Sequence, residues 1–307
     1  MPLKLAIPAL GAALLSLNGC YLDDWGARYN QDFHYSYPIQ PGGTLSLDTF
    51  NGSVDLSGWD QNTIDVSGTK YGPSQTAAEH VKVDIVNTAD SVSIHVSRPG
   101  DVFGGRGARF RIRMPWKTHI DRITTNNGPI DLLGGTGPGV IRTTNGQVHV
   151  TQFGGQIDVR TANGQVELRD VQGDAMVRTT NGHIRADDVH GSFDAATTNG
   201  GITARIDARP DAQRLRLATF NGSIELTLSG SVAEVKASTG NGSITLRLPQ
   251  STNARVFAHT GNAAISSDFP VRMTGESRRN QLEGVIGNGG PLLDLSTWNA
   301  PIRLLQM

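Results

Sequence analysis

An Asn-Gly pair returns at Asn127, Asn145, Asn163, Asn181 and Asn199, each eighteen residues after the last. A fixed period of that length marks a chain that folds as a stack of one repeated unit. Each Asn is preceded two positions earlier by Thr and followed three positions later by Ile or Val. The unit closes on a turn that carries Gly155, Gly173 or Gly191.

Apolar and polar residues alternate on both sides of the Asn, the period of a half-buried strand. Four positions before the Asn stand Ile141, Val159, Val177 and Ala195; three after stand Val148, Val166, Ile184 and Ile202; five after stand Val150, Leu168, Ala186 and Ala204. These columns face inward, and the alternation carries Thr and Asn inward with them. Arg142, Arg160 and Arg178, with His149, Glu167 and Arg185, fall on the outward face. Like positions one period apart stack strand on parallel strand. Asn then lies over Asn in a hydrogen-bonded amide ladder. Gly supplies the positive φ of the bend, and Thr keeps the strand straight up to it. The predicted column contains Asn51, Asn127, Asn145, Asn163, Asn181, Asn199, Asn221 and Asn241.

The fold class is therefore all-β, a β-solenoid of parallel β-helix type with an eighteen-residue repeat in its middle. About eleven layers make a rod of about 50 Å. Asn-Gly is also the strongest hairpin signal, so an antiparallel meander or roll is the alternative. Beyond Asn221 and Asn241 the spacing drifts through Asn262, Asn288 and Asn299, with Ala263 and Ala300 in place of Gly. Pro301 cannot donate a ladder hydrogen bond and marks a terminal strand.

The segments outside the repeat divide the chain. Residues 1–19 read as a lipoprotein signal peptide: Lys4, an apolar run from Leu5 to Leu17, then Leu17-Asn18-Gly19-Cys20. That ending resembles a bacterial lipobox, which implies thioether lipidation of Cys20, the single cysteine of the chain. It further implies a cell-envelope location with membrane lipid as partner. Tyr21 after the Cys favours the outer membrane in a Gram-negative cell. Residues 20–41 form an aromatic-rich connector or cap, with Tyr21, Trp25, Tyr29, Phe33, Tyr35 and Tyr37. The alternation Phe33, Tyr35, Tyr37 predicts an extended strand capping the first layer, against a ligand-binding aromatic patch. Residues 42–307 are the solenoid domain. Within it Ser74 caps a helical turn or two, and Arg98 to Gly107 read as a loop.

Several landmarks share one order: Gly42-Gly43-x-Leu45-x-Leu47, Asn51-Gly52-Ser53-Val54 running into Gly58-Trp59-Asp60, Met114-Pro115, the Thr-x-Asn-Gly series, Leu248-Pro249, and Ile286-Gly287-Asn288-Gly289. In these the chain resembles the bacterial putative-adhesin β-strand-repeat family, whose function is not known. The resemblance implies a β-solenoid in the cell envelope and no reaction or cofactor.

A net charge of -1 over 307 residues gives no footprint for nucleic acid. The sequence holds no nucleophile elbow, metalloprotease helix or phosphate loop, and no second cysteine for zinc. No catalytic residue, metal ligand or cofactor is assigned. His183, Asp187, Asp188 and His190 are the best local cluster for a weak metal site, against an ordinary solvated face. Asp158 and Asp194 beside the arginines at 142, 160 and 178 would serve a polysaccharide lyase or hydrolase, against a charge pattern that keeps a long sheet soluble. A basic patch of Arg106, Arg109, Arg111, Arg113 and Lys117 faces a polyanion or anionic lipid, against a solvated strand face. The leading function is a non-catalytic envelope lipoprotein presenting a rigid solenoid to an envelope protein or glycan, for adhesion, scaffolding or sensing. A carbohydrate-active enzyme and an accessory protein in envelope-stress regulation are the alternatives.

Overall fold

The computed structural model describes residues 29–97, 105–207, 214–230, 234–274 and 278–307. The signal peptide, Cys20, Tyr21, Trp25 and most of the segment expected to be a loop before Gly107 lie outside them. In chain order the elements begin β1 (Tyr29–Pro38), β2 (Thr44–Asp48), β3 (Val54–Trp59), β4 (Thr63–Gly72), α1 (Gln75–Glu79), β5 (Lys82–Asn87), β6 (Ser91–Ser97), β7 (Gly107–Pro115), β8 (His119–Asn127), β9 (Ile130–Leu133), β10 (Thr136–Asn145), β11 (Val148–Arg160), β12 (Val166–Val171) and β13 (Ala175–Arg178). They continue with β14 (Ile184–Val189), β15 (Phe193–Ala196), β16 (Ile202–Ile206), β17 (Arg214–Ala218), β18 (Ile224–Leu228), β19 (Glu234–Thr239), β20 (Ile244–Leu248), β21 (Ala254–Thr260), β22 (Ile265–Ser267), β23 (Val271–Met273), β24 (Gln281–Ile286), β25 (Leu292–Thr297) and β26 (Ile302–Gln306).

The strand before each Asn corner joins one sheet, B, and the strand after it joins the other, A. Parallel pairing in register stacks like on like: Val148 on Val166, Ile184, Ile202, Ile224, Ile244 and Ile302 in turn. The inner faces of the two sheets close on one continuous core, filled by these aliphatic columns with Phe153 and Phe193 among the largest fully buried side chains. The structure is thus a solenoid, not a meander.

The order of stacking is not the order of the chain. The layers run β6/β7, β2/β3, β8/β9, β10/β11, β11/β12, β13/β14, β15/β16, β17/β18, β19/β20, β25/β26 and β21/β22. The long β11 serves two layers, bending from sheet A into sheet B. The last layer in sequence is inserted second from the end, and β26 pairs with β20 on one side and β22 on the other. Pro301 therefore marks no terminal strand. It stands where the carbonyl accepts from the neighbouring layer, as Pro301 does from Ile244 and Pro129 from Val54, so a residue without an N–H fits.

Antiparallel strands are confined to the ends of the stack. At one end β4 runs against β7 and β1 against β4, while β5 runs against β6. At the other, β24 runs against β21 and β23 against β24. The aromatic segment is β1, an edge strand of sheet A: Phe33 packs edge-on to Phe110 at 5.6 Å between ring centres, and Tyr35 stacks on Tyr37 at 6.4 Å. Ser74 caps α1 by accepting from the Ala77 N–H at 3.2 Å.

Candidate functional site

The corner ridge is the most ordered polar feature of the molecule. Amide Nδ2 donates to the Oδ1 one layer away from Asn127 to Asn51, then Asn145, Asn163, Asn181, Asn199, Asn221, Asn241, Asn299 and Asn262 in turn, at 2.5 to 2.8 Å. All eight predicted asparagines are in the column, and Asn299 and Asn262 extend it. Asn288 is outside it: its N–H donates to Asn253 Oδ1 at 2.7 Å.

Two expectations for this corner fail. The Thr side chains are buried, but from Asn127 onward the ladder asparagines are exposed. From Asn163 onward the strand ends at or just before Thr, so alternation no longer governs the next two residues; β8 and β10 run on to Asn127 and Asn145, and there too the amides satisfy each other instead of needing the core. The corner glycines are also not there for positive φ, which only Gly52 (132°) and Gly128 (156°) adopt among those of the ladder. From Gly146 to Gly242 a Cβ would collide with the carbonyl oxygen of the corner glycine one layer away. Glycine is required because backbone packs on backbone.

The Thr hydroxyl does more than stiffen the strand. Thr161, Thr179, Thr197, Thr219 and Thr239 each donate to the corner Gly carbonyl of the adjacent layer at 2.8 to 3.1 Å. Thr179, Thr197, Thr219 and Thr239 also accept the N–H of their own corner glycine at 3.1 to 3.3 Å. At the opposite corner Gln152, Asp170 and Asp188 take left-handed φ of 53° to 59°, so Asp188 shapes the turn.

The rest of the expected metal cluster is dispersed. Asp187 holds Arg185 at 3.0 Å, and His190 Nε2 lies 3.6 Å from Asp170. His183 sits at the start of its unit, where burial and Arg185 push its imidazole below the ordinary value against the opposing pull of Glu225. Among the described residues no group of three or more His, Cys, Asp or Glu is placed to hold a metal ion.

The outward carboxylates are held in ion pairs across or along the strands. Asp158 lies between Arg142 at 3.6 Å and Arg160 at 3.1 Å, and Arg178 holds Asp194 at 2.6 Å. Register places Met176 between Asp158 and Asp194 in one column on sheet B. His149 bridges Asp131 at 2.8 Å and Glu167 at 3.8 Å on sheet A.

Of the basic patch, Arg109, Arg111 and Arg113 share the outward face of β7, while Arg106 and Lys117 do not. Arg106 is buried, and its carbonyl accepts from Asn51 Nδ2 at 3.0 Å, which ends the ladder. Arg109 lies over the Tyr71 ring at 5.0 Å, Arg111 is 3.7 Å from Asp55, and Arg113 is 3.3 Å from Asp65 and 4.4 Å from the centre of the Trp59 ring. Lys117 is exposed beyond the end of β7. Beside this strand a cleft of about 400 Å³ is lined by Asp32, Phe33, Asp55, Arg109 and Arg111 among others, so acids and bases share it.

The sequence reading passed over Phe220 and Trp298. Each directly precedes a ladder asparagine, and they are 59% and 62% exposed. Phe220 lies against Gly240 and Trp298 against Gly261, each the glycine at the same position one layer on. The position before the Asn is aromatic at Phe50 as well and holds Thr or Ala in the layers from Thr144 to Thr198; that Phe220 and Trp298 lie near one another emerges only once the layers are in stacking order.

Among curated proteins, none matches this sequence. Among solved structures the chain is similar to a putative cell adhesion protein from Clostridium sporogenes, at 13% identity over 90% of this chain and 100% of that one, with a TM-score of 0.25. It is similar to a putative adhesin from Bacteroides fragilis at 12% identity over 90% and 97%, with a TM-score of 0.36. A putative adhesin from Parabacteroides distasonis gives 10% identity over 91% and 98%, with a TM-score of 0.29. Residues 117–228, the uninterrupted run of layers from β8/β9 to β17/β18, match the family model described as Toastrack DUF4097.

Proposed function

We propose that this chain is a non-catalytic, lipid-anchored cell-envelope protein whose rigid solenoid presents the corner ridge to a glycan. The observation that carries the reading is the pair of exposed rings, Phe220 and Trp298, in register with the amide ladder. Their layers are separated by one, which sets them about 10 Å apart at the strand spacing. A ring face attracts the polarised C–H edge of a sugar. Each ladder amide keeps one N–H and one acceptor lone pair for a hydroxyl. The ladder fixes these groups before any ligand arrives, so little ordering entropy is lost on binding. The outward carboxylates, tied to arginine or histidine on open sheet faces, support a binding role over a hydrolytic one.

The test is a glycan array probed with the Cys20→Ser chain, alongside an assay for released reducing or unsaturated ends. Phe220→Ala and Trp298→Ala should each weaken glycan binding about tenfold. Product that disappears on replacing Asp158 or Asp194 would overturn the non-catalytic reading. The anchor is tested separately: Cys20→Ser should move the protein out of the membrane fraction, and its retention there would refute lipidation.

A further inference from the structure

Among the described residues, beyond the β6/β7 layer sheet A adds two strands, β4 and β1, sheet B adds only β5, and α1 packs against β4 and β1. The core-side row of β1 is therefore incompletely covered. Register places Phe33 in line with Gly68 and Phe110, Tyr35 with Val66 and Ile112, and Tyr37 with Ile64. Tyr29 and Tyr35 on this row are 38% and 44% exposed. Among the described residues β4 is the only strand paired with β1. The edge is thus ten residues long, with the backbone groups of every second residue facing outward, against edges of three residues in β22 and β23 at the other end. A long unprotected edge is a template for another strand, and β1 carries no lysine or arginine to repel one.

We infer that β1 pairs antiparallel with β1 of a second copy about a two-fold axis at Phe33, joining the two A sheets into one. Directly opposed residues in an antiparallel pair share a face, so a two-fold axis normal to the sheet must be centred on a residue. With the centre on Phe33, Asp32 of each copy opposes His34 of the other, Tyr29 opposes Tyr37, Gln31 opposes Tyr35, and Phe33 meets its mate. A centre on Asp32 sets carboxylate against carboxylate. A centre on His34 sets imidazole against imidazole and brings Pro38, which has no N–H, into the ladder. Of these neighbouring registers, the Phe33 centre alone sets a carboxylate opposite an imidazole.

The two facing side chains are already held from the β4 side. Asp32 Oδ1 accepts from the Thr69 hydroxyl at 2.7 Å, and His34 Nε2 contacts Asp65 Oδ2 at 2.7 Å. Asp32 Oδ2 and His34 Nδ1 are left for the second copy. An isologous pair needs no other partner and closes on itself, and the uncovered aromatic rows of the two copies become one continuous apolar strip.

The experiment measures mass by light scattering over a concentration series, using the full chain with Cys20→Ser as the parent. The parent should show a two-copy mass that dissociates on dilution. Asp32→Lys and His34→Glu should each weaken the pair about tenfold or more, because the first removes the acceptor that faces each imidazole and the second sets carboxylate against carboxylate twice. Mixed in equal amounts, the two variants should recover the two-copy mass, since the introduced lysine faces the introduced glutamate. Asn30→Lys combined with Ser36→Lys disturbs neither the Asp65 nor the Thr69 contact, and should also dissociate the pair. Circular dichroism confirms that each variant folds. A parent of one-copy mass at the highest concentration reached, or variants as tightly paired as the parent, would overturn the inference; dissociation without recovery on mixing would overturn the Phe33 register.

Discussion

The middle layers and the ends of this solenoid use the same corner motif under different conditions. Between Asn145 and Asn241 each layer has a like layer on both sides, and each corner is closed three ways: amide to amide, hydroxyl to carbonyl, and glycine against backbone. At the β1 end the motif runs out. Asn51 donates to the Arg106 carbonyl, and the buried Thr49 hydroxyl has no partner among the described residues, the sequence between β6 and β7 carrying no Asn-Gly pair. At the other end Ala300 and Ala263 replace glycine in the last two ladder layers. A repeat therefore specifies contacts between layers more than it specifies any one layer, and the terminal layers carry parts of the motif that nothing uses.

The sharpest way to break the comparison is at the glycines. Gly182→Ala would drive a Cβ into the Gly164 carbonyl with Thr179 Oγ1 2.8 Å away, and backbone cannot change rotamer to escape. A loss of about 3 kcal/mol or more is expected in denaturant unfolding. Gly105→Ala, where nothing lies within 4 Å of the added carbon, should leave the midpoint unchanged. Equal effects at the two sites would mean that the middle corner has room to relax.

Threonine gives the next effect. Thr179→Val keeps the shape but strands the Gly164 carbonyl and the Gly182 N–H, bonded to the hydroxyl at 3.1 Å each. This should cost about 1–3 kcal/mol. Thr49→Val deletes a buried hydroxyl that has no partner among the described residues and should be neutral or stabilising. A cost at Thr49 equal to that at Thr179 would show that packing, not the hydroxyl bonds, sets the value of the column. Smaller still is the ladder itself. Asn181→Ala removes two exposed amide bonds and Asn262→Ala removes one, so losses of about 1 kcal/mol and half that are expected from thermal melts.

How much of this was legible in the sequence follows the same division. The strict period at Asn127 to Asn199 predicted the parallel register and the amide column, because in-register stacking demands like residues at like positions. The direction of the asparagines does not follow from alternation, since from Asn163 onward the strand ends at or just before Thr, and at Asn127 and Asn145 the amide ladder holds the side chain outside the core although the strand runs on. The insertion of residues 292–306 between the layers of Asn241 and Asn262 could not be read locally, because every corner offers the same amide, hydroxyl and aliphatic column to any neighbour. Only the alanines hinted at it. They look scattered along the chain and are contiguous in the stack. Phe220 and Trp298 escaped notice for the same reason, their alignment depending on a layer order that the chain order hides.

The smallest predicted effect lies at the β1 end, where Asp65 is buried beneath the exposed side chains of His34 and Arg113. Asp65 is 7% exposed; burial raises its pKa, but hydrogen bonds and charge attraction from His34 and Arg113 outweigh that and hold the carboxyl below its ordinary value of 3.8. A carboxyl depressed in the folded state stabilises the protein at pH values above its unfolded pKa, and that contribution is lost as pH falls through the folded one. Asp65→Asn should therefore lower the melting temperature at neutral pH, with the gap from the parent chain narrowing as pH drops below 3.8. The ladder variants supply the contrast, since amides and hydroxyls do not titrate: Asn181→Ala should keep a constant gap across the same range. A gap for Asp65→Asn that is flat with pH would mean that the carboxylate contributes shape rather than charge, and that the β1 end is held by the packing of Phe33 on Phe110 in place of its ion pairs.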